Sequence, residues 1–127
     1  MSPRQNDTNI ADDTVLWRAV HKLQVYKDDD GRERAQKWAF ESDDNEVSAW
    51  VAAETDLGRL RARFPHSRMA EFTAAQAREC RNIVARDPVE GDASHVVICP
   101  LPGKSNSQIK KDAKRLASKA RLLPQEP

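Results

Sequence analysis

The residues of this chain best suited by type and spacing to do chemistry are basic. Lys110, Lys111, Lys114 and Arg115 crowd into one short segment, and phosphate binding needs only positive charge on an accessible face. Residues 104–127 hold 7 basic and 2 acidic side chains, whereas residues 1–54 hold 7 and 12. An acidic half and a basic end can attract one another within the fold. Alternatively, the basic end can face an anionic partner, either a protein's acidic surface or nucleic acid. No aromatic residue interleaves with these cations. Stacking on bases from this segment is therefore not expected, and any nucleic-acid binding is expected to be nonspecific and salt-sensitive.

The familiar catalytic signatures are missing from the sequence: no GxGxxG, P-loop, HExxH or GxSxG occurs. His21, His66 and His95 have no ligand partner at helical spacing, so no metal site is expected. Asp28-Asp29-Asp30-Gly31 resembles the start of a calcium loop, but it lacks EF-hand spacing and a closing glutamate, and solvated turn residues account for it. Cys80 and Cys99 stand alone, without a CxxC, and read as buried reduced thiols. No stretch approaches the ~18 apolar residues of a membrane span, and the polar start has no signal-peptide core. A cytoplasmic location without membrane contact is the expectation.

One dispersed set remains. Arg18 lies in LWRAV, Ser48 in VSAW, and Glu54 follows Ser48 by six residues. This order of cation, hydroxyl and acid over residues 14–54 resembles NAD-using folds of the ADP-ribosyltransferase class, including RES-domain toxins. Gly31-Arg32 meets only loosely the RES pattern of a glycine-arginine pair before an aromatic strand. The resemblance implies an NAD cofactor, with Arg18 holding a phosphate, Ser48 orienting the nicotinamide ribose and Glu54 stabilising an oxocarbenium-like centre. The alternative is structural: an arginine paired inside the fold, a surface serine and a glutamate near a helix start. The wider layout of LWRAVH, WAF, VSAW, ARDP and a histidine-led apolar strand is similar to small uncharacterised bacterial single-domain proteins. It spans residues 12–103 and implies one compact domain and no activity.

Several elements must position these residues. Residues 1–12 read as a disordered lead-in, 13–123 as one domain and 124–127 as a frayed tail. The run 14–20 is a strand with Val15, Trp17 and Ala19 on one face and Leu16, Arg18 and Val20 on the other. An arginine on that second face needs a carboxylate or carbonyl partner. Asp30-Gly31 sets a hairpin between strands at 23–27 and 36–40, followed by a strand at 47–53, which suggests an antiparallel meander. Thr55 caps a helix that Pro65 ends, and Thr73 with Gln76 forms a capping box before a short helix. Strands follow at 82–86 and 95–101, the latter central in the sheet. Ser105 and Gln108 open an amphipathic helix running to 123, with a stripe of Ile109, Ala113, Leu116, Ala117, Ala120 and Leu123. Trp17, Trp38 and Trp50 are all expected to be buried.

The sum is an α+β domain with a mainly antiparallel sheet of about five strands, about three helices, and the C-terminal helix packed on the sheet. The expected function is a non-enzymatic binding or accessory protein acting through protein–protein contacts. An NAD-using enzyme and a nonspecific nucleic-acid binder are the alternatives.

Overall fold

The computed structural model describes residues 4–42, 44–89 and 91–125. Along the chain the strands are β1 Val15–His21, β2 Val25–Lys27, β3 Glu33–Ala35, β4 Val47–Val51, β5 Ser67–Thr73, β6 Asn82–Arg86, β7 His95–Pro100 and β8 Arg121–Leu122. The helices are α1 Leu57–Arg63, α2 Ala74–Glu79 and α3 Asn106–Lys119. Six strands form one antiparallel sheet in the order β6-β7-β4-β1-β5-β8, and β2 and β3 pair separately. The fold is α+β, with α3 packed on the sheet.

Strand alternation sorts the side chains into two layers. On one face Leu16, Val20, Ala49, Val51, Ala70, Phe72, Val84, Val96 and Ile98 are buried together with Ala113, Leu116 and Ala117 of α3 and Ala74 and Ala77 of α2. Phe40 meets Phe72 edge-on, with ring centroids 5.5 Å apart. On the other face Leu60 of α1 is buried with Trp50, Met69 and Leu123, and Trp17 packs against them half-buried. Thr73 and Gln76 make the reciprocal capping box. At α3, Ser105 caps the Gln108 amide at 3.1 Å, but the Gln108 side chain turns instead to Asp112.

The structure departs from the sequence reading in definite places. The strands expected at 23–27, 36–40 and 47–53 do not form a meander, because β2 and β3 pair with each other in a sheet of their own, while β4 pairs with β7 and, across the hairpin, with β1. The hairpin between them has only Val25 and Ala35 to bury, and it lies over the core rather than extending the sheet. Its second strand is 33–35, because residues 37–40 form a 3-10 turn. Ala39 and Phe40 are adjacent and buried in the same layer, whereas a strand would send them to opposite faces. Strand β5 was concealed by Arg68 and Glu71 within its alternation, and Asp56 rather than Thr55 caps α1.

The final helix ends at Lys119, not at 123. Beyond it, β8 pairs with β5, and Leu123, whose amide donates to the Met69 carbonyl at 2.8 Å, crosses to the opposite layer. The polar start is not a free lead-in from residue 4 onward. Arg4 bonds Glu46 and Asp87 at 2.8 and 3.0 Å, the Asp7 amide donates to the Val84 carbonyl, and Ile10 is buried. Residues 1–3, 126 and 127 lie outside the described residues. Of the three tryptophans Trp50 is buried, Trp17 is half-buried and Trp38 is 46% exposed.

Leu116 is 1% exposed at the centre of the α3 contact. Leu116→Ala should lower unfolding free energy by about 2–5 kcal/mol, the cost of a large-to-small core change. Urea denaturation followed by circular dichroism checks this, and an unshifted midpoint would mean that α3 is not held by its apolar face.

Candidate functional site

Arg18, Ser48 and Glu54 do not converge. The Arg18 side chain enters the α3-side layer between Leu16 and Val20, where Nε donates to the Ala39 carbonyl at 2.7 Å and Nη1 to the Ser48 carbonyl at 2.9 Å. Burial pushes its pKa down to about 10. The arginine on the apolar face thus finds carbonyl partners. It touches the backbone of Ser48, not its hydroxyl. Alternation places the Ser48 side chain with that of Trp50, on the opposite face. Glu54 lies just after β4 and takes two bonds from Arg86, at 2.6 and 2.7 Å. That guanidinium holds its carboxyl below the usual range. Arg18 and Glu54 are thus held in structural contacts, and the Ser48 side chain lies on the opposite face of the sheet from Arg18.

The histidines and cysteines are likewise placed. His21 Nδ1 accepts from the Leu23 amide, and His95 Nδ1 lies 2.8 Å from the Asp87 carbonyl oxygen and packs against Trp50. Cys80 and Cys99 are free and buried, and burial pushes both thiols up, Cys99 to about 11. Among the described residues no group of three or more His, Cys, Asp or Glu is gathered for a metal ion. No helix among them is long and apolar enough to cross a membrane.

The basic segment gives a different result. Lys110, Lys111, Lys114 and Arg115 are all exposed on α3. Their side of the helix is fixed by its opposite face, where Ala113, Leu116 and Ala117 are buried and Asp112, 1% exposed, pairs with Lys104 at 2.5 Å. Arg115 also reaches Asp112, at 3.9 Å. Lys110 and Lys114 stand one helical turn apart, about 6 Å. Each borders its own groove against the elements packed alongside.

The groove at Lys114 encloses about 520 Å³ and is lined by Tyr26, Arg34, Lys37 and Ser118. Arg34 spans it, donating to Asp28 at 2.9 Å and to the Ser118 carbonyl at 3.2 Å. This contact ties the hairpin to α3. The groove at Lys110 encloses about 390 Å³ and is lined by Gln24, Trp38, Glu41, Asn106 and Ile109. Tyr26 is 41% exposed and Trp38 46%. Two aromatic rings therefore stand beside a lysine row that has none of its own.

Sequence reasoning missed Tyr26, Lys37, Trp38 and Glu41, because they reach α3 only through tertiary packing. One local signal did exist: the adjacent apolar pair Ala39-Phe40 can be buried on one side only by a tight turn, and such a turn sends Lys37 and Trp38 outward. Comparison with protein-family models, curated proteins and solved structures finds no match for this chain.

Arg18→Met should be destabilising, because two carbonyls lose a buried donor at about 1–3 kcal/mol each. Glu54→Gln should cost less than about 1 kcal/mol, since its ion pair is largely exposed. Glu54 ionises more readily when folded, so its small contribution is present at neutral pH and fades as pH falls through its depressed value. Urea midpoints of the two variants at neutral and acid pH check both statements. A larger loss from Glu54→Gln than from Arg18→Met would reverse the assignment.

Proposed function

We propose that this protein is a non-enzymatic binder of single-stranded nucleic acid, using the outer face of α3 and the two grooves beside it. The observation that carries the reading is the placement of exposed Trp38 and Tyr26 next to Lys110, Lys114 and Lys37. Cationic side chains follow a phosphate backbone, and aromatic rings stack on unpaired bases whatever their identity. A duplex keeps its bases stacked internally and leaves such rings without a partner. An acidic protein surface would meet the same lysines and bury the rings as well; this protein–protein reading ranks second, and the oligothymidine test below separates the two. An NAD-using activity has no comparable support, since Arg18 is engaged by the carbonyls of Ala39 and Ser48, Glu54 by Arg86, and the Ser48 side chain lies on the opposite face of the sheet from Arg18.

Lys37, Lys110 and Lys114 border the two grooves, with exposed Lys111 and Arg115 further round α3, and about three or four of these cations can reach one strand. The log of affinity should then fall against log salt with a slope of about −2 to −3, at roughly −0.7 per neutralised phosphate of a single strand. Trp50 is buried and Trp17 half-buried, so Trp38 is the tryptophan open to stacking. A short oligothymidine should quench tryptophan fluorescence at low salt, and the matching duplex should quench far less. Trp38→Ala, which removes the quenched ring, should weaken binding roughly 5- to 150-fold by the anisotropy of a dye-labelled oligothymidine, the range for loss of one base–aromatic stack. Lys110→Gln with Lys114→Gln should flatten the salt slope by about 1.4. Equal binding of duplex and single strand, or no quenching at low salt, would overturn this reading.

A further inference from the structure

The groove at Trp38 contains a group that a nonspecific phosphate tracker has no use for. Glu41 is half-buried there, beside Lys110 and Trp38. No hydrogen bond or ion pair among the described residues holds its carboxylate. A negative charge on a polyanion-binding face repels the ligand unless something in the ligand donates to it.

The bases differ in what they offer such an acceptor. The Watson–Crick edge of guanine presents two adjacent donors, N1–H and the N2 amino group, which match the two oxygens of a carboxylate. Thymine and uracil present one N–H flanked by two carbonyl oxygens, which the carboxylate repels. Adenine and cytosine each offer one amino group next to a ring acceptor. Proteins read unpaired bases on this edge while an aromatic ring holds the base plane.

The rest of the groove suits the same base. Gln24 Oε1 is occupied by the His21 amide at 3.2 Å, which leaves the Gln24 amino group as a donor. Lys110 supplies a second donor, and guanine O6 and N7 are acceptors. Trp38 gives the stacking surface and Ile109 an apolar wall.

We infer that the groove lined by Trp38, Glu41, Gln24 and Lys110 is a guanine-selective subsite for one unpaired base of the bound strand. The inference rests on the single-strand reading above. Glu41 accepts from N1–H and N2–H of the base while Trp38 stacks on it, and the neighbouring phosphates lie along the lysines of α3.

The test compares three short strands by tryptophan quenching: oligothymidine, the same strand with one central guanine, and the same strand with one central hypoxanthine. Hypoxanthine lacks only the N2 amino group. The guanine strand should bind about 5- to 150-fold more tightly than oligothymidine, the range for one good bidentate base contact. The hypoxanthine strand should fall between them. Glu41→Gln should erase the guanine preference and tighten oligothymidine binding, because one repelling charge is gone. Circular dichroism confirms that the variant is folded, and the hypoxanthine comparison needs no variant at all. Free guanosine monophosphate should bind far more weakly than the guanine strand. Binding as tight as the strand's would mean a nucleotide pocket and would overturn the subsite.

Equal affinity for guanine and thymidine strands, with both binding, would overturn this inference and leave the single-strand reading standing. Absence of binding by every strand would overturn both. A guanine preference that survives Glu41→Gln would also overturn the assignment, since another residue would then be reading the base.

Discussion

The arrangement of this molecule depends on one half-buried cation whose guanidinium is turned into the core. Strand β1 pairs with β4 over only two residue pairs, Leu16 with Val51 and Trp17 with Trp50. Where that ladder stops, Arg18 enters the core and donates to the carbonyls of Ser48 and Ala39. A buried guanidinium without a carboxylate is costly, and the downward shift of its pKa reflects that cost. Two charge-assisted hydrogen bonds and the Phe40 ring, 5.8 Å from the guanidinium, offset it. The bond to Ala39 also anchors the 37–40 turn. With Ala39 and Phe40 held inward, Lys37 and Trp38 project outward against α3.

The helix that receives them is set by complementary means. Small residues on its inner face, Ala113 and Ala117, allow close packing, and Leu116 fills the space between them. Asp112 lies on the same buried side and is satisfied by Lys104 and Gln108. Removing one member of such a pair leaves a charge buried alone, so the contact fixes the rotation of the helix about its axis. With that rotation fixed, Lys110 and Lys114 can only face the grooves. The buried acid and the exposed lysines are therefore two aspects of one constraint.

Much of the fold was legible because strong local signals agreed with it. The Thr73 capping box, strand 82–86, the apolar strand from His95 (though second from the edge of the sheet rather than central) and the stripe on α3 as far as Ala117 appear at the residues where pattern placed them. What was not legible came from competition between levels. Arg68 and Glu71 concealed β5, although Arg68 is paired with Glu33 and the Leu123 carbonyl. Leu123 continues the helical stripe in sequence, yet it completes the opposite layer because the edge of β5 needs a partner. The candidate site was half legible: its cations lie in one run, but its aromatic rings and carboxylate come from the hairpin and turn roughly 70–85 residues earlier. No spacing rule links residues that meet only through packing.

The segment 4–12 also determines how this sheet meets its surroundings. Strand β6 is a terminal strand, and the exposed backbone of such a strand is a template for pairing with another chain. Here Val84 is already engaged on that side, its carbonyl by the Asp7 amide and its amide by Asn6 Oδ1 at 3.1 Å. Arg78 fastens the same segment through Asp12 and the Asp7 carbonyl. A stretch of polar residues with no periodicity thus occupies the backbone of Val84 that another chain would otherwise pair with. Its polarity serves that role, since a side-chain amide satisfies the edge without offering a new edge in its place.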